Sequence, residues 1–340
     1  MSNTRLHMES PAQKTYVVAV LGTGSIGSRH LDVLRTLGGA QGLAIPRRPA
    51  RAQELETQGG AVTGSLEQAA DSGAGLCIIA TETGRHVEDG LQALKLGFDV
   101  LMEKPLASDS AGARLLNEAA AKAKRKLYVG CVMRFSESLN IFRDRLPTIG
   151  DVHSVRIECQ SYLPDWRPNQ DYRDSYSARA VEGGVLLDLI HEVDYAGWIF
   201  GWPEGTRGKL TNTGRLGIES EEVAELNWAT PSGTSVSIML DYLSRTPNRR
   251  MRAFGSEGEL TWDGIVNRVS LQLVGKSQVI ENSDQERNAM FSAQTTAFID
   301  AIAGAQDGRL ASSDEGVWAL AVCDAARRSS DSGQIEKVEY

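Results

Sequence analysis

The chain has 340 residues, of which 41% are hydrophobic and 24% are charged, and its formal net charge is −8 at pH 7. This length favours two domains with sizeable cores, and the composition is that of a soluble globular protein. The negative charge disfavours nucleic acid and an anionic membrane surface as partners.

The start of the chain and its cysteines indicate a compartment. Residues 1–14 lack the apolar core of a signal peptide and are predicted to form a flexible tail. No stretch reaches the roughly 18 apolar residues that a membrane span needs. The four cysteines form no Cys-x-x-Cys pair. We therefore expect a reducing cytoplasm and predict no metal site.

Residues 15–134 alternate short apolar runs with amphipathic stretches. Five runs rich in branched residues predict strands, namely YVVAVLG, GLAIP, GLCIIAT, FDVLMEKP and LYVGCVM. The stretches between them have the spacing of amphipathic helices, and several end at glycine. Strands and helices that alternate in this way predict an α/β domain with a doubly wound parallel sheet.

A glycine fingerprint follows the first of these strands. Gly22, Gly24 and Gly27 stand at the mouth of a helix, with Ser25 and Ile26 between the last two. In a Rossmann domain the first glycine allows a tight turn, the second lets the backbone approach a diphosphate, and the third lets helix pack on strand. The helix N-terminus offers free N–H groups to the phosphates, so we predict that a dinucleotide binds here.

The end of the second strand bears on the choice of dinucleotide. Arg47 and Arg48 stand where an NAD enzyme would place an acid on the ribose hydroxyls. A guanidinium there attracts a 2′-phosphate and stacks on adenine, so the sequence favours NADP over NAD. The alternative is that both arginines belong to a solvated loop.

Residues 135–312 have a different pattern. Segments such as EEVAELNWAT and GTSVSIMLDYL alternate polar and apolar residues, which predicts an α+β domain with a large, mostly antiparallel open sheet. The stretch EGGVLLDLIHEVDY predicts a helix in which Asp188, His191, Glu192 and Tyr195 share one stripe. Residues 313–340 predict a helix and a strand that pack back on the first domain.

Together these motifs resemble the Gfo/Idh/MocA oxidoreductases, the family of glucose-fructose oxidoreductase and inositol dehydrogenase. The glycine fingerprint, IATETGRH, EKP, MRF and GGVLLDLIHEVD occur in the order of that family over nearly the whole chain. The most specific of them is EKP, at the carboxyl end of a strand, where ligands of doubly wound sheets bind.

The resemblance implies a set of site residues. Lys104 is expected beside the nicotinamide and the substrate hydroxyl, oriented by Glu103, with a cis bond to Pro105. The family's catalytic aspartate and histidine match Asp188 and His191. The other motif residues are assigned to the cofactor or the substrate: Thr81 and His86 to the cofactor, and Arg134 to the substrate.

The chain departs from the family at two places. Thr81 is followed by Glu82 where relatives usually have proline, and two residues rather than three separate Asp188 from His191. The second departure leaves three roles open for Asp188. It orients or charge-tunes the imidazole, binds a substrate hydroxyl, or is an ordinary acid at a helix start.

These residues suit hydride transfer at a secondary alcohol. Histidine is the usual proton carrier near neutral pH, so His191 is assigned this role. Lys104, a cation near the same oxygen, would stabilise the developing alkoxide. A structural reading of His191, as a satisfied polar group in an apolar helix, is the alternative.

A segment rich in aromatic residues and arginine precedes the histidine. Flat rings pack on polyols and arginines bind carboxylates or phosphates in a forked geometry. The predicted substrate contacts are Trp166, Arg167, Tyr172, Arg173 and Tyr176. They favour an acidic, phosphorylated or nucleotide-linked sugar. The alternative is an exposed interface loop, because the family associates through its antiparallel sheet, and we expect a homodimer or homotetramer.

The sequence therefore predicts a cytoplasmic NAD(P)-dependent dehydrogenase or reductase of a carbohydrate-like substrate, either a sugar, a sugar derivative or a cyclitol. Two alternatives remain open at this point. One is a non-catalytic regulator that senses the dinucleotide with the same fold. The other is a reductase of non-sugar substrates such as dihydrodiols.

Overall fold

The computed structural model describes residues 15–340, so the predicted tail at 1–14 lies outside the described residues. The first domain contains five parallel strands in the order β5-β4-β3-β1-β2. The strands are β1 Tyr16–Leu21, β2 Ala40–Ile45, β3 Leu76–Ile79, β4 Asp99–Glu103 and β5 Leu127–Gly130. The helices beside them are α1 Ser25–Thr36, α2 Pro49–Thr57, α3 Leu66–Asp71, α4 His86–Lys95 and α5 Ser110–Ala123. The predicted doubly wound sheet is confirmed.

The central strands are apolar because helices cover both faces of this sheet. All four residues of β3 are buried, as are the last four of β1. The chain leaves β1 towards β2 and returns to β3 on the other side, which makes the carboxyl ends of β1 and β3 the switch point of the sheet. The glycine fingerprint lies at this point.

The second domain is built on a nine-stranded sheet in the order β13-β12-β11-β10-β6-β9-β8-β7-β15. Its strands are β6 Val152–Gln160, β7 Gly205–Thr211, β8 Val223–Ala229, β9 Ser235–Asp241, β10 Asn248–Gly255, β11 Gly258–Asp263, β12 Arg268–Leu273, β13 Val279–Asn282 and β15 Glu336–Lys337. Only β6 and β9 pair in parallel, so the predicted, mostly antiparallel sheet is confirmed. In β8, Ala224, Leu226 and Trp228 are buried and alternate with exposed polar residues.

The last helices join the two domains. The remaining elements are α6 Glu137–Arg145, α7 Val185–Asp188, α8 His191–Phe200, α9 Arg287–Ile302, β14 Ala311–Ser312 and α10 Ser313–Ser332. Helix α9 packs on α1, and β14 pairs with β5. Helix α10 packs on α5 and on β7. The chain thus returns to the first domain at residue 287, before the predicted boundary at 313.

Two findings concern the membrane and metals. No helix between residues 15 and 340 is long and apolar enough to cross a membrane. Within the same residues, no group of three or more histidine, cysteine or acidic side chains is placed to hold a metal ion.

Candidate active site

The glycine turn between β1 and α1 has the shape that a dinucleotide requires. Gly22 has a φ of 85°, and a side chain there would contact the Ala80 carbonyl. A side chain at Gly27 would overlap the Gly22 carbonyl. A side chain at Gly24 would meet no protein atom within 4 Å. The backbone therefore lies open at Gly24, where a diphosphate approaches, and the turn fits the predicted cofactor.

The first turn of α1 completes this cradle. Ser25 and Ile26 open the helix, and no side chain caps its N-terminus. Arg51 of α2 crosses to the turn, where its Nη2 donates to the Ser28 hydroxyl at 2.7 Å and its Nε to the Thr23 carbonyl at 3.3 Å. The sequence analysis missed Arg51, because a helical arginine far from the glycines carries no local signal.

The end of β2 presents the two predicted arginines. Arg47 and Arg48 are exposed and line a cavity of about 510 Å³ with Pro46 and Pro49. Arg47 also lies 3.4 Å from the carboxylate of Asp89, which is 1% exposed. Both guanidinium groups remain accessible to a phosphate at this edge of the sheet.

Asp89 and His86 hold the loop after β3. The hydroxyl of Thr81 donates to Asp89 at 2.8 Å, so this predicted cofactor residue is anchored inside the protein. His86 is 1% exposed and its ring nitrogens lie 2.7 Å from the Pro105 carbonyl and 3.1 Å from that of Thr81. Burial lowers the pKa of His86. A neutral imidazole donates only once, so only one of the two carbonyls accepts a hydrogen bond from His86. The ring contacts both and so lies between the loop after β3 and the Lys104–Pro105 turn.

The turn after β4 places Lys104 at the carboxyl edge of the sheet. The Lys104–Pro105 bond is cis, as predicted. Glu103 accepts hydrogen bonds from His30 Nε2 at 2.8 Å and from the backbone N–H of Lys104 at 3.3 Å. Glu103 thus contacts the backbone of Lys104, whereas the ammonium group reaches across the domain boundary. Lys104 Nζ donates to the Asp188 carbonyl at 2.7 Å.

The predicted single helix around Asp188 and His191 is wrong, because the chain forms two helices. Helix α7 ends at Asp188, and α8 begins at His191 after a turn at Leu189 and Ile190. In a continuous helix the Asp188 carbonyl would accept from the N–H of Glu192. Here that N–H bonds to the Leu189 carbonyl at 3.2 Å, and the Asp188 carbonyl accepts from Lys104 instead.

The side chain of Asp188 is held by tyrosines. Tyr242 donates its hydroxyl to Asp188 at 2.6 Å. The charge of Asp188, followed by burial, raises the pKa of Tyr176. Asp188 is 5% exposed, so its carboxylate lies in a buried polar cluster. Sequence reasoning missed Tyr242, which lies 54 positions along the chain.

His191 lies beside this cluster, 9% exposed. Its Nδ1 is buried and has no hydrogen-bond partner among residues 15–340. Burial, and then the charges of Lys104, Arg249 and Arg287, lower the pKa of His191 well below its ordinary value. The imidazole is therefore neutral near pH 7 and able to accept a proton. Its unpaired nitrogen does not support the alternative of a satisfied structural histidine.

The segment before α7 contributes some of its predicted side chains to this cluster. Trp166 packs edge-on against Tyr242, with ring centroids 5.4 Å apart. The guanidinium of Arg167 lies 5.4 Å from the ring centre of Tyr176. These residues surround Asp188, and both Trp166 and Arg167 keep exposed surface.

Two predicted substrate residues have other contacts. Tyr172 donates its hydroxyl to the Leu216 carbonyl at 2.9 Å. Arg173 is exposed, and its guanidinium lies over the Tyr172 ring at 4.5 Å. No contact in the described part of the chain joins either residue to Asp188 or His191.

The expectation that Arg134 contacts substrate needs correction. Its side chain is 0% exposed and donates to Asp194 at 2.7 and 3.0 Å and to Glu315 at 2.6 Å. A guanidinium enclosed by two carboxylates has no surface left for a ligand. Arg134 is therefore a buried structural ion pair that links the end of the first sheet to α8 and α10.

The chain matches two family models. Residues 16–131 match the model described as "Oxidoreductase family, NAD-binding Rossmann fold", and residues 147–261 match the "GFO/IDH/MocA C-terminal domain". The inositol 2-dehydrogenase/D-chiro-inositol 3-dehydrogenase of Lacticaseibacillus casei is 23% identical, over 92% of this chain and 91% of that protein.

Two solved structures share the architecture. An oxidoreductase from Agrobacterium radiobacter, in complex with NAD+, L-tartaric acid and magnesium, is 19% identical with a TM-score of 0.84, covering 96% of this chain and 99% of that one. The WlbA dehydrogenase from Bordetella pertussis, in complex with NADH and UDP-GlcNAcA, is 20% identical with a TM-score of 0.83, over the same shares. At this identity the likeness shows the fold.

Proposed function

Since the chain belongs to the Gfo/Idh/MocA family of NAD-binding oxidoreductases, we propose that it transfers a hydride between a nicotinamide and the secondary alcohol or ketone of a sugar, a sugar derivative or a cyclitol. The observation that carries this proposal is the meeting of Lys104 and His191 at one edge of the sheet. Lys104 Nζ bonds to the Asp188 carbonyl at the end of α7, three residues before His191.

The two side chains divide the chemistry between them. A bound dinucleotide supplies the hydride acceptor or donor. A ring nitrogen of the neutral His191 takes the hydroxyl proton when the alcohol is oxidised, and returns it during reduction. Lys104, anchored by the Asp188 carbonyl, stabilises negative charge on the reacting oxygen. The buried carboxylate of Asp188, held by Tyr242, supports the turn and lies where a substrate hydroxyl would be oriented.

We propose NADP as the preferred dinucleotide. Arg47 and Arg48 are exposed at the end of β2, and a guanidinium is well suited to a 2′-phosphate. Replacing Arg48 with alanine should weaken NADPH binding by about 10-fold or more and leave NADH binding nearly unchanged. Titration of cofactor fluorescence with both dinucleotides checks this. Equal losses for the two would contradict the assignment.

Purified protein with NADP+ and a panel of sugars, sugar acids and cyclitols tests the activity. One class of substrate should produce NADPH, detected by its absorbance. His191→Asn should reduce turnover by about 100- to 10,000-fold and still bind NADPH. Lys104→Met should lower kcat with the cofactor affinity retained.

The exposed His153 offers a matched control, since His153→Asn removes an imidazole at the start of β6. Unchanged turnover in His191→Asn would overturn the role of His191. Tight dinucleotide binding without turnover of any substrate would instead favour the regulator.

A further inference from the structure

Several cations surround the catalytic histidine. Lys104, Arg249 and Arg287 each act electrostatically on His191, and Arg29 acts on Arg287. These side chains come from the turn after β4, from β10, from α9 and from α1, so the fold brings four distant parts of the chain together near His191. If these cations lack carboxylate partners within the protein, the space beside His191 can bind an anion.

Arg287 is the first residue of helix α9 and acts electrostatically on His191. Phe291 of the same helix packs edge-on against His30, with ring centroids 5.3 Å apart, and His30 bonds to Glu103 beside Lys104. Arg287 and Phe291 are four residues apart and share one face of α9. Arg287 therefore lies one turn before Phe291, at the start of α9, on the face that packs towards α1 and the end of β4.

Arg29 is fixed on the same face. Its guanidinium lies 5.4 Å from the centre of the Phe291 ring and donates to the amide oxygen of Asn288. Asn288 follows Arg287 in the first turn of α9, so both guanidinium groups lie at the start of this helix. Glu286 precedes the helix, but its side chain does not cap it, so the first N–H groups add to the positive potential.

The charges of the cluster are only partly compensated. Arg249 is paired with the fully buried Glu192 at 2.7 Å, and Lys104 bonds to a carbonyl. Arg29 pairs with no carboxylate in the described part of the chain, and its guanidinium contacts the uncharged Asn288 and the Phe291 ring. Arg287 has no ion pair with a carboxylate in the described part of the chain, and burial followed by the charges of Arg29 and Arg249 lowers its pKa. Among residues 15–340, two neighbouring guanidinium groups thus lack a carboxylate partner, and one of them, Arg287, acts on His191.

We propose that Arg287, together with Arg29, binds an anionic group of the substrate, either a carboxylate or a phosphate. This inference rests on the proposed hydride transfer and deepens it, since it assigns the substrate class to sugar acids or sugar phosphates. Arginine pairs with either group through two parallel hydrogen bonds, which orients the sugar as well as binding it. The reacting hydroxyl then lies at His191 while the anion is held at α9.

Steady-state kinetics with glucose, glucuronate and glucose 6-phosphate, each as a substrate or as a competitive inhibitor of the true substrate, test the proposal. Glucuronate or glucose 6-phosphate should bind at least about 10-fold more tightly than glucose. Arg287→Ala should remove this preference, raising KM or Ki of the anionic sugar about 10- to 100-fold. Loss with only one of the two anions identifies that anion as the natural group.

Arg35→Ala is the matched control, because Arg35 lies on α1 with Arg29 but its side chain is 75% exposed and paired with Asp32. This variant should retain the preference. Equal affinity for glucose and both anions in the wild type would overturn the inference. The inference would also be overturned if Arg287→Ala weakened NADPH binding and left the KM and Ki values of the sugars unchanged, because Arg287 would then bind the cofactor.

Absence of turnover with every sugar, sugar acid and cyclitol of the panel refutes the proposed function without deciding the anion site. Thermal denaturation of the NADPH complex with added glucuronate or glucose 6-phosphate then decides it. A rise in Tm that Arg287→Ala abolishes and Arg35→Ala retains supports the anion site. No rise with either anion overturns it.

Discussion

His191 is kept neutral by its surroundings. Burial opposes its protonation first, and the neighbouring cations oppose it further. A neutral imidazole next to a lysine is the pair that alcohol oxidation needs, because one group accepts the proton while the other stabilises the oxygen that loses it. The same environment makes the stability of the fold depend on pH.

We expect the free energy of unfolding to fall as the pH drops below about 6.5, with a contribution from His191. In the unfolded chain the imidazole binds a proton near pH 6.5, whereas the folded chain keeps it neutral to much lower pH. The unfolded state therefore binds more protons in this window, and stability decreases by up to about 1.4 kcal/mol per pH unit. The decrease ends when the pH passes the lowered pKa of the folded state.

Urea denaturation of wild type and His191→Asn between pH 7.5 and 5 measures this effect, with the pH limits chosen around the ordinary pKa of about 6.5. The curve of the variant should be shallower. His86, whose pKa burial also lowers, is present in both proteins and cancels. His153→Asn, at an exposed site, should follow the wild type. Parallel curves for wild type and His191→Asn would contradict the prediction.

At the scale of residues, the sequence located the groups that lie within motifs. Lys104, His191 and the three glycines stand next to strand ends and turns that local patterns reveal. Arg287 lies in no motif, and the MRF motif that contains Arg134 does not reveal that this side chain is buried. The carboxylate partners of Arg134 are 60 and 181 positions away, and arginine is usually exposed, so nothing local indicates that this one is enclosed.

At the scale of elements, the break between α7 and α8 joins the two domains, because the Asp188 carbonyl at the end of α7 accepts a hydrogen bond from Lys104. Gly184 precedes α7 with a φ of 92° and a ψ of 156°, a conformation open almost only to glycine. Glu221 accepts from the N–H of Leu186 at 3.1 Å, beside Gly184. The short helix is thus fixed at its start by Glu221 and at its end by Lys104.

Gly184→Ala should disturb both ends. An alanine there is strained, and its side chain would collide with the carboxylate of Glu221. We expect a loss of about 1–3 kcal/mol in the free energy of unfolding, measured with urea, and a lower kcat because the Asp188 carbonyl shifts from Lys104.

Gly38→Ala provides the control for this substitution, since a side chain there meets no atom within 4 Å. It should change the free energy of unfolding by less than about 0.5 kcal/mol. An equal effect of the two substitutions would show that the conformation of Gly184 is not constrained.

The five parallel strands of the first sheet, and strands such as β8 and β9 of the second, followed from the sequence, whereas this interruption did not. Continuous apolar residues predict a buried strand such as β3, and alternating apolar residues predict a half-buried strand such as β8. Leu189 and Ile190 are apolar residues that a helix accommodates without difficulty. At the break the Asp188 carbonyl accepts from Lys104, a tertiary contact that local propensity does not encode.

At the scale of the whole molecule, Arg134 ties the first sheet to both α8 and α10. Replacing it with methionine leaves Asp194, which is 1% exposed, without its cation. Breaking a buried pair in this way costs about 3–5 kcal/mol. Urea denaturation of Arg134→Met should show this loss.

The exposed pair of Arg35 and Asp32 calibrates the effect, because Arg35→Met should cost no more than about 1 kcal/mol. Measured at a temperature where both variants are folded, the KM of Arg134→Met for the substrate should match that of the wild type. A large rise in KM without a loss of stability would restore Arg134 to the substrate site.

The pairing of β14 with β5 has a consequence for synthesis of the chain. Strand β5 leaves the ribosome early, but Ala311 and Ser312, which cover its edge, emerge only after eight of the nine strands of the second sheet. During this interval the nascent first domain exposes an open strand edge, the kind of surface on which chains pair with one another. Slow translation or a shortage of chaperones should therefore lower the yield of folded protein, because the nascent first domain aggregates through this open edge.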